Sequence, residues 1–251
     1  MAHTPAHPAS LHHRWTGLRI GITGIRGTLG QALCRQFLER GAVVVGLSHG
    51  SRPLENNPTS SPQEWAQWSC DQERELDPVL ATLDVLIVNH GINPGGDQSS
   101  DTLTRAITIN ALSSWNLIKR FEAIAATSGP AGRPRELWVN TSEAEIQPAL
   151  SPAYELSKRL IGQLVSLRWS NRSPQERERL RLRKLVLGPF KSELNPIGIL
   201  SAEWVARQVL NQAQLNLALI IVTPNPMTYV LMPLCELGRA AYNRVFNRPC
   251  Q

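Results

Sequence analysis

The sequence GITGIRGTLG, residues 21–30, carries three glycines at intervals of three. It follows an apolar run that predicts a strand over 18–23, and it precedes apolar residues at helical spacing. A glycine-rich turn between a first strand and a first helix lets the backbone approach a pyrophosphate, whose charge the free N–H groups of the helix stabilise. The stretch therefore predicts a dinucleotide-binding turn. The residues predicted to face the phosphates are Gly24, Gly27, Thr28, Leu29 and Gly30.

Strand and helix patterns alternate along the rest of the chain. The unbroken β-branched run at 42–48 is typical of a parallel strand that is buried on both faces. Regular alternation predicts an α/β fold with a doubly wound, seven-stranded parallel sheet, in one Rossmann-type domain over 17–251 after a flexible tail at 1–16. The predicted strands are 18–23, 42–48, 65–70, 84–91, 136–142, 182–190 and 217–223. The predicted later helices are 103–129, 152–170, 201–214 and 232–246.

The end of the second predicted strand bears on the choice of nucleotide. NAD-specific proteins of this architecture place a carboxylate there, against the ribose hydroxyls. This chain has Ser48, His49, Gly50, Ser51 and Arg52 instead. Arg26 and Arg52 could bind a 2′-phosphate through charge-assisted hydrogen bonds, which favours NADP(H) over NAD(H). The alternative is that either arginine is simply exposed to solvent.

A tyrosine and a lysine suggest proton-transfer chemistry. The sequence YELSK places Tyr154 and Lys158 four residues apart, on one face of a predicted helix. A phenol has an ordinary pKa near 10, and a neighbouring ammonium lowers that pKa by favouring the phenolate. Tyr154 is therefore a candidate general acid or base.

Further motifs occur in a fixed order around this pair. NHG (89–91) ends the fourth predicted strand, Asn110 lies within the next helix, and Ser142 ends the fifth strand, twelve positions before Tyr154. With TGIRGTLG and YELSK, these residues make the chain resemble the short-chain dehydrogenase/reductase family over roughly residues 18–225. The resemblance implies an enzyme that transfers a hydride between nicotinamide and a small carbonyl or alcohol substrate, and the two arginines favour NADP(H) as its cofactor.

The resemblance also implies roles for single residues. Asn110 would hold a helix bulge and a water in a proton relay, and Ser142 would hydrogen-bond the substrate oxygen. Tyr154 would transfer the proton, while Lys158 would bind the nicotinamide ribose and lower the tyrosine pKa. Asp71 would contact the adenine ring, and Ser192 would contact the carboxamide. Asn89 would stabilise the end of the sheet beside the cofactor, and Gly91 would lie against the cofactor. The family is expected to form homodimers or homotetramers.

Two departures from the family pattern matter for function. The spacing TGxxGxxG is typical of the extended and atypical branches, whereas the chain length is not. The segment KSELNPIGIL (191–200), where relatives carry a longer helical flap, is short. A short lid fits an open site for a bulky or carrier-bound substrate, but it also fits a protein that binds NADP(H) as a sensor or scaffold without turnover.

Charge and cysteine content set limits on partners and compartment. The net charge is +6, with much of the excess in the basic run 170–185, where glutamates interleave with arginines. This run is expected to be solvated, and a nucleic-acid partner is not favoured. The four cysteines show neither metal-like nor disulfide-like spacing, which suits a reducing compartment and a cytoplasmic location.

The carboxyl-terminal segment raises the question of a membrane. Residues 215–237 hold one charge, but the prolines of TPNPM argue against a continuous span. A strand, a turn and a helix at 232–246 explain the segment better. That helix carries Arg239 and Arg244, and its apolar side could pack in the core, in a subunit interface or on an anionic membrane surface.

Overall fold

The computed structural model describes residues 12–52, 60–127 and 133–246. A seven-stranded sheet forms its centre, with the strand order β3-β2-β1-β4-β5-β6-β7. Every neighbouring pair is parallel, so all seven carboxyl ends lie along one edge. The predicted fold class is confirmed. The strands are β1 (Arg19–Thr23), β2 (Val43–Ser48), β3 (Glu64–Gln67), β4 (Val85–Val88), β5 (Arg135–Ser142), β6 (Leu180–Leu187) and β7 (Leu219–Val222).

Helices cover both faces of the sheet. One apolar core lies between the sheet and α1 and α7, and it includes Phe37 and Leu210. A second core lies under α4 and α5 on the opposite face, and it includes Phe121 and Ile161. The helices are α1 (Thr28–Leu38), α2 (Asp77–Leu80), α3 (Ser100–Ile107), α4 (Ser114–Thr127), α5 (Pro152–Asn171), α6 (Pro174–Arg179), α7 (Ala202–Gln214) and α8 (Pro226–Phe246).

Element boundaries near the cleft differ from the sequence prediction, and β4 and β6 end at Val88 and Leu187 rather than at 91 and 190. The third strand ends at Gln67 rather than 70, and the chain then passes through Asp71 in a left-handed conformation with a φ of +72°. The long helix predicted over 103–129 is divided. A π-helical segment, Thr108–Ser113, joins α3 to α4.

The predicted flexible tail is wrong at its end. Residues His12–Trp15 form a 3₁₀ turn, and Trp15 is buried. The Trp15 ring packs edge-on against Phe37 and Trp138, with ring centroids 5.4 and 5.5 Å away. Arg14 donates to the carbonyl of Ala213 at 2.9 Å. Aromatic packing thus anchors these residues, while residues 1–11 lie outside the described part of the chain.

The basic run is less solvated than its composition suggests. Arg183 and Lys184 in β6 are both fully buried. Arg183 Nε donates to Glu136 Oε2 at 2.8 Å, and Lys184 Nζ lies 2.7 Å from Glu145 Oε2. The expectation of a solvated run is wrong for these two cations, because buried carboxylates pair with them. Neither side chain is placed to contact a nucleic-acid backbone.

The carboxyl-terminal helix is longer than predicted. It begins at Pro226 rather than at 232, and Pro233 lies in its interior. Pro226 suits the first turn of the helix, because the N–H groups of a first turn have no helical acceptor and the missing N–H of proline loses no hydrogen bond there. Among the helices in the three described ranges, none is both long and apolar enough to cross a membrane.

Candidate active site

A cleft of about 1110 Å³ opens at the carboxyl edge of the sheet. This is where doubly wound sheets bind their ligands, because loops from adjacent strands diverge there. Most of the residues predicted for the site line it. They are Gly24, Arg26, Gly27, Thr28, Leu29, Ser48, Asn89, Gly91, Ser142, Tyr154, Lys158 and Ser192. The predicted residues that do not line it are Gly30, Arg52, Asp71 and Asn110.

The glycine turn between β1 and α1 forms a close-fitting cradle. Gly24 has a φ of +64°, and a Cβ there would lie 2.9 Å from the Cα of His90. A Cβ on Gly30 would lie 2.3 Å from the carbonyl oxygen of Gly24. Gly27 caps α1 without a side chain, so the N–H groups of the first turn lack a side-chain acceptor. This arrangement fits the pyrophosphate of a dinucleotide.

The two arginines lie in different places. Arg26 is exposed and lines the cleft, and its guanidinium lies so close to Gly50 that a Cβ there would overlap it. Glycine at position 50 therefore lets Arg26 cross the end of β2, where an adenosine ribose binds in this fold. Arg52 is also exposed, but its Nη2 donates to the carbonyl of Pro62 at 3.5 Å, away from the cleft lining.

Three candidate catalytic residues meet at the inner end of the cleft. Ser142 ends β5, and Tyr154 lies in the first turn of α5, where the Ser151 hydroxyl accepts from its N–H at 3.4 Å. Lys158 lies one turn further along, with its Nζ 5.8 Å from the Tyr154 ring centroid. Lys158 Nζ also donates to the carbonyl of Asn140 at 3.1 Å. Helical spacing thus brings the tyrosine and the lysine together, as predicted.

Burial governs the ionisation of the pair. Burial raises the pKa of Tyr154, and a hydrogen bond with Ser142 opposes that rise. Burial lowers the pKa of Lys158 to about 8, against the opposing charge of Glu145. The lowered tyrosine pKa expected from the sequence is therefore wrong for the protein alone. The free-energy cost of burying the phenolate exceeds the stabilisation that its neighbours provide.

Asn110 acts as a clamp beside the tyrosine. It is buried in the π-helical segment, which is the helix bulge that the family resemblance implied. Its Oδ1 accepts from the N–H of Ile92 at 2.7 Å, and its Nδ2 donates to the carbonyl of Ile92 and to Ser157 Oγ at 2.9 and 2.8 Å. Ser157 Oγ in turn donates to the Tyr154 carbonyl. A relay water at Asn110 stays a prediction.

The NHG motif holds the middle of the sheet edge together. Asn89 Oδ1 accepts from Asn140 Nδ2 at 2.8 Å, and Asn89 N–H donates to Thr23 Oγ1 at 2.8 Å, linking the ends of β5, β4 and β1. His90 Nδ1 lies 2.9 Å from Thr23 Oγ1. Burial, with the charge of Lys158, lowers the pKa of His90 to about 3. His90 is thus a neutral, hydrogen-bonded side chain at ordinary pH.

Two predicted cofactor contacts come from loops. Asp71 is exposed in its left-handed turn, while its neighbours Ser69 and Cys70 line the cleft. Its contact with adenine stays a prediction. Ser192 lines the cleft in the short lid, where its Oγ accepts from the N–H of Asn195 at 3.2 Å.

Polar residues that the sequence analysis missed also line the cleft. Glu143 directly follows Ser142, and its Oε2 accepts from Thr223 Oγ1 and Thr228 Oγ1. Asn93 Nδ2 donates to the carbonyl of Leu194 at 3.1 Å and so ties the loop after β4 to the lid. The only sequence signal for Glu143 was its place directly after the last residue of a strand.

The chain also matches a known protein family. The model of the NAD dependent epimerase/dehydratase family matches residues 20–168, which carry the glycine cradle, Asn110, Ser142, Tyr154 and Lys158. The chain belongs to the NAD dependent epimerase/dehydratase family. The TGxxGxxG spacing in this family member is thus explained by membership of an extended branch of short-chain dehydrogenases/reductases.

A relative with an assigned activity resembles this protein along most of the chain. It is the monoglucosyldiacylglycerol epimerase of Synechocystis sp., which is 39% identical over 234 residues. The match covers 92% of this chain and 55% of the relative. The chain therefore spans about half the length of that protein.

Solved structures with low sequence identity share the fold. A short-chain dehydrogenase from Burkholderia cenocepacia in complex with NADP has a TM-score of 0.70 at 16% identity, and the match covers 93% of this chain and 99% of that chain. An NADPH-dependent 3-quinuclidinone reductase from Rhodotorula rubra has a TM-score of 0.67 at 17% identity, covering 88% and 96%. At such identities, the likeness supports the architecture alone.

Proposed function

We propose that this protein is a nicotinamide-dependent epimerase of a hexose carried on a diacylglycerol lipid. The observation that carries the proposal is that Ser142, Tyr154 and Lys158 line the same cleft as the glycine cradle, with Lys158 Nζ 5.8 Å from the Tyr154 ring centroid. The likeness to a monoglucosyldiacylglycerol epimerase supports the choice of substrate class. Inversion would proceed by oxidation of one secondary ring alcohol to a ketone and reduction of its opposite face.

The cradle and its flanking residues would hold the cofactor. The first-turn N–H groups of α1 would bind the pyrophosphate, and Lys158 would bind the nicotinamide ribose. When bound, nicotinamide supplies the acceptor of hydride from the ring carbon and the donor that returns it. The position of Arg26 beside the end of β2 supports a preference for NADP(H), in which the guanidinium would pair with the 2′-phosphate.

The chain's own residues would manage the proton and the oxygen. Tyr154 would take the proton from the reacting hydroxyl in the oxidation and return it in the reduction, while Ser142 would hold that oxygen by a hydrogen bond. The Lys158 ammonium would favour the phenolate once the cleft is filled. The adjacent carboxylate of Glu143 would accept hydrogen bonds from other ring hydroxyls.

The size of the cleft suits an inversion. For the product to have the opposite configuration, the ketone must turn its other face toward the nicotinamide without leaving the cleft. The cleft of about 1110 Å³ would hold the cofactor and the sugar together under the short lid, where Asn93 and Glu143 would contact the rim of the turning hexose. This gives the abbreviated lid a role in the proposed reaction.

The direct test is product analysis with the purified full chain. Monoglucosyldiacylglycerol in detergent micelles is incubated with NAD⁺ or NADP⁺, and the headgroup sugar is identified by chromatography after hydrolysis. We expect the parent protein to form a new hexose epimer. Tyr154→Phe should slow the reaction about 100-fold or more while nucleotide binding is retained. An unchanged rate for Tyr154→Phe would contradict the assigned role, and nucleotide binding without any turnover would favour a sensor.

A net carbonyl reductase is a second candidate, and Arg26 is the observation that favours it. NADPH is used mainly for reduction, whereas an epimerase consumes no cofactor overall. The same incubation, started with NADPH and a panel of ketones and aldehydes, separates the two. Loss of NADPH absorbance in proportion to alcohol formed would indicate the reductase.

A further inference from the structure

The last helix leaves an apolar face without a partner in the described chain. Of the 21 residues of α8, all of which the structure describes, Thr228 and Met232 alone are buried. Spacings of three and four residues place four large exposed side chains along one side of the helix. This apolar stripe consists of Met227, Val230, Leu234 and Leu237.

The apolar stripe begins next to the mouth of the cleft. Gln147 Nε2 donates to Thr228 Oγ1 at 2.7 Å, and Asn225 Nδ2 donates to Gln147 Oε1 at 2.7 Å, so the start of α8 is fixed against the loop after β5. Leu150, in that same loop, is 87% exposed and lines the cleft.

The lid adds apolar residues to the same edge of the molecule. Ile197 and Ile199 are each 75% exposed, and both line the cleft. The lid follows β6, which lies between β5 and β7 in the sheet, so it leaves the same carboxyl edge as the loop after β5 and the segment that leads into α8. We call Leu150, Ile197 and Ile199 the apolar rim.

The negative charge of α8 faces the protein interior, and its exposed charge is positive. Glu236, the sole acidic residue of this helix, faces inward, where its Oε1 lies 2.8 Å from the Nζ of buried Lys184. Arg239 is half-buried and Arg244 is exposed in the second half of the helix, whereas in the lid exposed Lys191 is balanced by exposed Glu193. An apolar face with a cationic fringe is what an anionic bilayer attracts.

We propose that the apolar stripe and the apolar rim dock onto an anionic lipid bilayer and place the cleft mouth at the level of the headgroups. The cationic fringe favours lipid over a second copy of the chain, because a copy would bring the same charges to the interface. The assignment rests on the proposed function for its purpose: a glycolipid would keep its acyl chains in the bilayer while its sugar enters the cleft.

Vesicle co-sedimentation of the full chain tests the docking. Phosphatidylcholine vesicles with and without phosphatidylglycerol are compared at low and high salt. We expect binding that requires phosphatidylglycerol and weakens with salt. Leu234→Gln/Leu237→Gln should reduce the bound fraction about tenfold, because two inserted side chains become polar. The matched control, Leu215→Gln/Leu217→Gln, alters exposed leucines just before β7, at the opposite edge, and should bind as the unmodified protein does.

The outcomes separate docking from turnover. Circular dichroism and NADPH fluorescence show that each variant is folded and binds nucleotide. Vesicle binding without epimer formation would support docking and contradict the proposed function, whereas turnover in micelles without vesicle binding would overturn docking alone. Equal losses in both double variants would also overturn it. Sedimentation showing that Leu234→Gln/Leu237→Gln dissociates an oligomer, with no vesicle binding by the parent protein, would assign the face to a subunit interface instead.

Discussion

At the scale of single residues, three ionisable side chains share the inner end of the cleft. Burial raises the pKa of Tyr154 and lowers those of Lys158 and His90, the latter two to about 8 and about 3. At neutral pH, Lys158 is therefore the one member of this trio that carries a charge. It is the group that can favour a phenolate on Tyr154 when substrate and cofactor exclude water.

His90 should make stability depend on pH in mildly acidic solution. Its pKa falls from 6.5 to about 3 on folding, so the unfolded chain binds the extra proton between these values and stability declines as pH falls below 6.5. We expect about 1–2 kcal/mol of this loss between pH 7.5 and 5. Urea unfolding at both pH values should show it in the parent protein and not in His90→Ala. A matched His49→Ala variant, altered at an exposed position, should retain the loss.

Arg26 should determine the preference between nucleotides. A guanidinium paired with a 2′-phosphate contributes a charge-assisted hydrogen bond, so Arg26→Ala should weaken NADPH binding about tenfold and leave NADH binding within about twofold. Nicotinamide fluorescence titration measures both. Arg52→Ala is the control, because Arg52 does not line the cleft. Equal effects of the two substitutions would contradict the assignment.

At the scale of elements, a buried polar cluster joins β6, the turn after β5, and two helices. Lys184 Nζ lies 2.7 Å from Glu145, 2.8 Å from Glu236 and 2.9 Å from Ser166 Oγ. Glu145 is three residues beyond Ser142, and Glu236 belongs to α8. The cluster therefore fixes the helix of the proposed docking face to the turn that follows the catalytic serine.

Removing the central cation should destabilise the protein. Lys184→Met would leave two carboxylates facing each other in the interior, and breaking a buried pair in this way costs about 3–5 kcal/mol. Chemical denaturation measures the change in the free energy of unfolding. Glu203→Gln, which removes a half-exposed pair with Arg35, should cost less than about 1 kcal/mol. A loss for Lys184→Met no larger than this control would mean that the cluster does not hold α8 in place.

The order of the elements could be predicted from sequence, because buried parallel strands such as β2 and β4 are continuous apolar runs bounded by glycine or polar residues. The burial of Arg183 and Lys184 could not. Their partners, Glu136 and Glu145, lie some 40 positions away and become neighbours only when β5 pairs with β6.

The same contrast holds within the site. Tyr154 and Lys158 are joined by helical geometry, so their spacing alone predicts that they meet. Arg52 and Asp71 lie in loops whose course depends on turn conformation, and the structure does not bring them to the cleft lining. Glu143 lines the cleft because of where β5 ends, which a residue pattern specifies only to within a few positions.

At the scale of the whole molecule, the proposed docking face begins at the edge of the sheet where the cleft opens. The glycine cradle lies toward β1 and β2, the catalytic residues lie at β5, and the lid and α8 follow β6 and β7. The nucleotide would thus lie at the end of the cleft away from the apolar rim, and the reacting carbon of the substrate would lie close to that rim. This arrangement suits a membrane-held substrate and a water-soluble cofactor.

The central claim is that inversion occurs by oxidation and reduction at one ring carbon within this cleft. It is tested most directly with monoglucosyldiacylglycerol deuterated at the secondary ring carbons, incubated with the purified protein and NADP⁺ or NAD⁺ in ordinary water. We predict a hexose epimer that retains deuterium at the inverted carbon, because that hydrogen moves as hydride within the site and does not exchange with water. Loss of that deuterium to solvent, or an unchanged sugar under conditions where the nucleotide binds, would contradict the account.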